Sequence, residues 1–350
     1  MGRAAERLHV SQPSLSAQIH DLERELGAPL FERTPRGMRM TPAGEKFLAH
    51  ARRTLREAEH AIGAVRGDES ASSDYSGLRE ALQGVLGGGY TLERQLGGHD
   101  SRVFTAIDTG LGRRVVVKVL PRGLTASVSA ERFRQELQLA ARLTHPHIVT
   151  ALSAGSGGDI LYYTMPFVEG ESLRTRLGRE GQLPLEDALC VAREVADALT
   201  YAHGQGIVHR DITPENILLA AGHALVTNFG IARAVSRAEV TALTAPGVIL
   251  GTPAYMSPEQ ASGVPQVDAR SDVYSLAAVV FEMLAGEPPF TGPTPEAIMA
   301  KQQAMPAPSL RSRRPSTPDA VELAVAKGLA AVPADRFQTA RAFAQALGEA

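Results

Sequence analysis

The apolar positions of this chain change their period several times. Leu15, Ile19, Leu22 and Leu26 recur at spacings of four, three and four, which predicts a helix with one buried stripe. Ser11 stands where an N-cap belongs, and Pro13 suits the first turn. A second stripe, Phe47, Ala51, Leu55, Ala58, Ile62 and Val65, predicts a longer helix opened by Thr41 and Pro42. The stretch GDESASSDYSG (67–77) then has almost no apolar positions and reads as a linker. Leu78, Leu82 and Leu86 predict a short helix stopped by Gly87–Gly89. From Tyr90 the segments YTLERQL, VFTAID and RRVVVKVL have strand character, and from about Glu131 helices dominate. VYSLAAVVFEMLAG (273–286) is too short for a membrane span and contains Glu282, so it predicts a helix buried in protein.

This pattern divides the chain into a small element at 1–66, a linker with a short helix at 67–89, and a large domain at 90–348. Composition changes that picture little. An apolar share of 44% with 21% charged residues is that of ordinary globular protein. Cys190 is the only cysteine, which excludes an intrachain disulfide, and no charged-then-apolar signal segment opens the chain. A cytoplasmic protein without membrane contact is the expectation. Charge is uneven: residues 1–66 carry 11 Lys+Arg against 8 Asp+Glu, while the remainder is net acidic. That balance permits a nucleic-acid partner at the N-terminus without requiring one.

In the first element, Ser14, Ser16, Gln18 and His20 lie off the apolar stripe of a helix that follows a tight turn. A small polar outer face of that kind suits the major groove of DNA. FERTPRGMRMTP places Arg33, Arg36 and Arg39 around Gly37, as in a hairpin that meets phosphates. The run AAERLHVSQPSLSAQIHDLERELGAPLFERTPRGMRMTPAGEKFLAHAR resembles the winged helix-turn-helix of LysR-type transcriptional regulators over about 60 residues. The resemblance implies an all-α winged helix-turn-helix with a long linker helix, DNA contacts from Ser11, Gln12, Ser14, Arg33 and Arg36, and a homodimer through the helix 42–65. Two departures stand out: the family's first helix would precede Ala4, and its ligand-binding domain does not follow. A miscalled start codon, a degraded remnant or a dimerisation relic are the competing expectations.

In the large domain, HRDITPEN (209–216) carries the strongest chemical signal. Phosphoryl transfer to a hydroxyl needs a carboxylate to orient the nucleophile and an amide oxygen that reaches a metal, and Asp211 and Asn216 have that spacing. The same order along the chain holds VVVKVL, ERFRQELQLAARLTHPHIV, TNFG, GTPAYMSPEQ and SDVYSLAAVVFEMLAGEPPF. That ordered set resembles bacterial Ser/Thr protein kinases of the eukaryotic type. The resemblance implies an α+β bilobal fold, with a β-rich N-lobe (90–168), an α-helical C-lobe (169–348) and ATP between them. It implies Lys118 on the phosphates and paired with Glu136, Gly97, Gly98 and Val103 over the nucleotide, and Met165 to Val168 as the adenine hinge. It further implies Asp211 orienting an unknown protein substrate, Asn216 and Asn228 as ligands of Mg²⁺ or Mn²⁺, and Arg210 awaiting a loop phosphate on Ser236, Thr241 or Thr244. Glu259 would pair with Arg336 as a structural tie.

Three departures weigh against full activity. The glycine loop reads LGGHDSRVF, one residue short, with His99, Asp100 and Ser101 at the tip where backbone N–H groups should meet phosphate. Thr213 stands where the family usually has Lys, which removes a positive charge near the transferring group. Asn228 stands where the family has the metal-binding Asp, so any ion is held weakly. Two expectations follow: a Ser/Thr kinase of reduced or metal-altered activity, or a pseudokinase that senses nucleotide and acts as a scaffold or regulator.

Overall fold

The computed structural model describes residues 69–96, 102–120, 129–231, 252–264 and 267–348, with 19, 22–24, 27–34, 37–41, 44 and 47 of the N-terminal element. The chain divides into two compact units, 1–78 and 79–350. In the first, strands β1 (Phe31–Thr34) and β2 (Gly37–Met40) form an antiparallel hairpin in which Arg33 faces Met38 and Thr34 faces Gly37. This is the expected wing. Glu23 supports it, since its Oε1 accepts from the backbone of Leu30 at 2.7 Å and of Phe31 at 3.0 Å. Thr41 Oγ1 accepts from Gly44 N at 3.0 Å, which is the expected cap of the following helix. Ser11, Gln12, Ser14 and Arg36 lie outside the described residues, as does most of the helix 42–65.

The expected linker is helical. Helix α1 spans Glu69–Leu86, so it takes in most of the polar stretch as well as the Leu78–Leu86 stripe. The stretch contains no proline, and Gly77 has open space around it, so nothing in it stops a helix that is anchored further on. Within the second unit the last two turns of α1 are tied to the sheet that follows. Leu82 is fully buried. Gln83 receives Leu92 N at 2.9 Å and donates to Tyr90 O at 2.9 Å. Val85 fills the space above Gly157, where a Cβ would lie 2.6 Å from Val85 Cγ2.

Strands β3 (Tyr90–Leu96), β4 (Val103–Asp108), β5 (Arg113–Val119), β6 (Ser153–Gly157) and β7 (Ile160–Pro166) form one antiparallel sheet in the order β3-β4-β5-β7-β6. Helix α2 (Ala130–Ala140) is capped by Ser129 and sets Phe133 and Leu137 against Leu120, Leu161 and Tyr163. Beyond it the fold is helical. Strand β8 (Glu171–Ser172) and helix α3 (Leu173–Glu180) lead to the long helix α4 (Leu185–Gly204), and then to a β9 (Ile217–Ala220) and β10 (His223–Val226) hairpin. A short helix α5 (Pro258–Ala261) precedes α6 (Ala269–Ala285), which is buried on every side from Ser271 to Ala285 and ends in the left-handed Gly286. Helices α7 (Pro295–Ala304), α8 (Asp319–Gly328) and α9 (Ala340–Gly348) complete the lobe. The apolar run 273–286 therefore forms, through Ala285, a helix buried within this lobe. No helix among the described residues is long and apolar enough to cross a membrane.

Candidate active site

Asp272 of α6 anchors the His209-Arg210-Asp211 segment. It is fully buried, and its carboxylate accepts from His209 N at 2.8 Å, Arg210 N at 2.7 Å and His203 Nε2 at 2.7 Å. Burial opposes its charge, but the hydrogen bond and charge of His203 and its other donors outweigh that and hold the carboxyl below the usual range. This grip holds Arg210 at φ 68, a left-handed conformation uncommon for a residue with a side chain. Gln260 Nε2 closes the other side by donating to Arg210 O at 2.8 Å. His209 Nδ1 accepts from Asp211 N at 3.2 Å, so Nε2 carries the proton given to Thr227 O at 2.8 Å. The ring of His209 also meets Phe229 edge-on at 4.5 Å. One buried imidazole thus joins the HRD segment to the Asn-Phe-Gly segment.

Asp211, Asn216 and Asn228 converge. Asn216 Nδ2 donates to Asp211 O at 2.7 Å and to Asp211 Oδ2 at 2.8 Å. Asn228 Nδ2 donates to Asn216 Oδ1 at 2.5 Å, and Tyr163 OH donates to Asn228 Oδ1 at 2.7 Å. Asn228 has φ 70, a region that Asn tolerates better than most residues. Gly230 follows at φ +82, and a Cβ there would lie 2.7 Å from Ala140 Cβ and 3.2 Å from Glu136 O, so glycine is what lets this loop meet α2.

Across the sheet Val103 pairs with Lys118, and Lys118 pairs with Tyr163. Burial lowers the pKa of Lys118, partly offset by the field of Asp211. Burial likewise raises that of Asp211, against the opposing influence of His209, Asn216 and Lys118. Glu136, the expected partner of Lys118, lies on the buried side of α2, and the field of Asp211 acts on Lys118. Met165 and Val168 are half-buried at and just beyond the end of β7, and Thr213 is buried. Arg210 Nη2 donates to Val267 O at 3.3 Å. Gly97, Gly98, Ser236, Thr241 and Thr244 lie outside the described residues.

The Glu259–Arg336 tie is present and bidentate, with both contacts at 2.7 Å. Arg336 is buried and also donates to Ala330 O, Ala331 O and Arg270 O. Two features escape sequence reasoning. Tyr163 is one; its only signal is a polar tip within the buried strand ILYYTMP. The other is Arg174, whose Nε donates to Glu215 Oε1 at 2.8 Å and Nη1 to Glu282 Oε1 at 2.6 Å, with Tyr255 bonded to both Arg174 and Glu282. That network ties α3 to the segment preceding Asn216.

Comparison with known proteins accords with this geometry. Residues 90–345 match the family model described as protein kinase domain, and residues 1–45 match that of bacterial regulatory helix-turn-helix proteins of the lysR family. The chain is 41% identical over 249 residues to serine/threonine-protein kinase PknB of Mycobacterium leprae, covering 69% of this chain and 39% of that protein. It is 41% identical over 261 residues to serine/threonine-protein kinase PknB of Mycobacterium tuberculosis, covering 72% of this chain and 41% of that protein. With the probable serine/threonine-protein kinase PknB of Corynebacterium glutamicum the identity is 37% over 275 residues, covering 75% and 42%. The chain therefore spans about two fifths of the length of these curated relatives. A five-stranded antiparallel sheet ahead of a helical region, the Asp272-anchored HRD segment and a family match over most of the chain have one meaning: this chain belongs to the protein kinase domain family.

Proposed function

We propose that residues 90–348 bind ATP and form a Ser/Thr protein kinase domain of low or absent phosphotransfer, attached to a DNA-binding-type element in the cytoplasm. The observation that carries this reading is the Asp211–Asn216–Asn228 cluster. Asp211 is held by Asn216 Nδ2 at 2.8 Å, as a group that orients a substrate hydroxyl should be. Lys118 would meet the phosphates and Met165 to Val168 the adenine. Divalent ions supply charge stabilisation in kinases. The donor set at 216 and 228 does not fit that role: Asn228 brings no charge, and its amide donor is turned onto the Asn216 oxygen that would ligate an ion. Thr213 is buried and supplies no replacement cation. Loss of charge at two positions favours weak or absent transfer over full activity.

Thermal unfolding of the full chain tests the nucleotide site. ATP at about 100 times its dissociation constant stabilises the folded state by about 2.7 kcal/mol. The expected result is a rise in Tm of several degrees, with half-saturation for Lys118→Ala weakened about ten-fold, roughly one charge-assisted contact. No rise at millimolar ATP, with or without metal, defeats the reading.

The lysR-family match and the β1–β2 hairpin support a role for DNA as well. A dimer through the helix 42–65 would bind a two-fold symmetric site. Affinity is expected to fall about 10³-fold or more between 50 and 200 mM salt, as phosphate contacts dictate. Gel retardation of random genomic fragments at low salt reads this out; an absence of retarded DNA counts against it.

A further inference from the structure

The geometry points to a nucleotide site that takes ATP without a divalent cation, because the Asn228 amide occupies the cation's place between the two expected ligand oxygens. This rests on the nucleotide-site reading above and goes beyond it.

The amide orientations follow from one another. Asp211 O is a backbone carbonyl and can only accept, so the Asn216 group 2.7 Å away is its NH₂. The same NH₂ meets Asp211 Oδ2 at 2.8 Å. Asn216 Oδ1 is therefore the atom that faces Asn228. An oxygen of Asn228 there would set two lone-pair groups against each other, so the atom at 2.5 Å is Nδ2. Asn228 Oδ1 then faces Tyr163, whose hydroxyl donates to it at 2.7 Å. Tyr163 is 2% exposed and keeps its proton, since burial raises its pKa. Each step leaves one arrangement.

The consequence concerns charge and geometry together. With Asp at 228, a carboxylate oxygen would stand against Asn216 Oδ1, and two acceptors at that separation need a cation or a proton between them. With Asn the N–H serves as that bridge. Both oxygens that would hold an ion already accept a hydrogen bond, Asn216 Oδ1 from Nδ2 of Asn228 and Asn228 Oδ1 from the hydroxyl of Tyr163. A metal bridging these groups would have to displace the Asn228 N–H from Asn216 Oδ1 while gaining no charge in return. The substitution therefore installs a donor as well as removing a charge. The ligand it admits is a nucleoside triphosphate free of divalent metal, with Lys118 as the cation on its phosphates.

Calorimetric titration of ATP into the full chain tests this, in EDTA, in Mg²⁺ and in Mn²⁺. The native chain is expected to bind ATP in EDTA, and neither metal should tighten binding. For Asn228→Asp, Mg²⁺ is expected to tighten binding about ten-fold or more, as a restored carboxylate requires. Tightening of the native chain by Mg²⁺ of about three-fold or more overturns the inference and leaves the nucleotide site standing. A metal-indifferent Asn228→Asp variant that binds ATP overturns the assignment of the effect to the amide. Binding under none of the conditions defeats the nucleotide-site reading, and the inference with it.

Discussion

Asn228→Asp raises Mg²⁺-dependent autophosphorylation about ten-fold or more over the native chain. One unit charge at about 4 Å is worth roughly 4 kcal/mol at an effective dielectric near 20. Solvation offsets part of this, and about 1.4 kcal/mol is already a factor of ten in rate. The variant also removes the N–H that Asn228 presents to Asn216 Oδ1, so both oxygens become available to an ion. The acceptors expected are Ser236, Thr241 and Thr244, in the segment between Gly230 and the Ser257-Pro258-Glu259 helix start. A phosphate there would have Arg210 as a partner. Asp211→Asn in the same background abolishes the signal, because it removes the group that orients the hydroxyl. Radiolabel incorporation with site mapping measures all three chains. Equal activity in the native chain and the Asn228→Asp variant would show that charge at 228 is unimportant. A silent variant would move the defect to Thr213 and the shortened glycine loop and favour the pseudokinase reading.

Arg336→Ala destabilises the second unit by about 3–5 kcal/mol, the usual cost of removing one partner from a buried pair. Arg336 is 2% exposed and holds Glu259 through two contacts of 2.7 Å, three backbone carbonyls, and the ring of Tyr274 at 4.9 Å. The truncation strands all of them. At about 2–4 °C per kcal/mol for a domain of this size, Tm falls by about 6–20 °C. Neither residue is among the expected nucleotide contacts, so the loss should appear in ligand-free protein. Arg336→Met combined with Glu259→Leu should recover part of it, since an apolar pair leaves no buried charge behind. A fall in Tm of less than about 2 °C for Arg336→Ala would show that the tie is replaceable.

Several site elements were legible because their signal is local. Lys118 stands on a strand whose β-branched run RRVVVKV has no other fold to serve. Asp211 and Asn216 lie five positions apart with the 3-10 turn Pro214–Asn216 between them, so their proximity was implicit in their spacing. The central helix showed itself as an apolar run, and the Glu259–Arg336 tie followed from the family order. The helical state of 69–77 was not legible: a polar stretch without periodicity carries no helix signal of its own, and α1 is anchored by Leu82 and Gln83 further along.

The sequence by itself determined the family and the order of the lobes, because periodicity and short-range spacing are properties of neighbouring residues. Only the tertiary structure decided that Tyr163 meets Asn228 across 65 positions, that Asn228 bonds to Asn216, and that Lys118 lies under the field of Asp211. Those outcomes depend on which buried donor finds which acceptor once two lobes and a helix have packed. The alternatives differ by a hydrogen bond or two, about 1–3 kcal/mol, and no local pattern encodes so small a difference between distant groups.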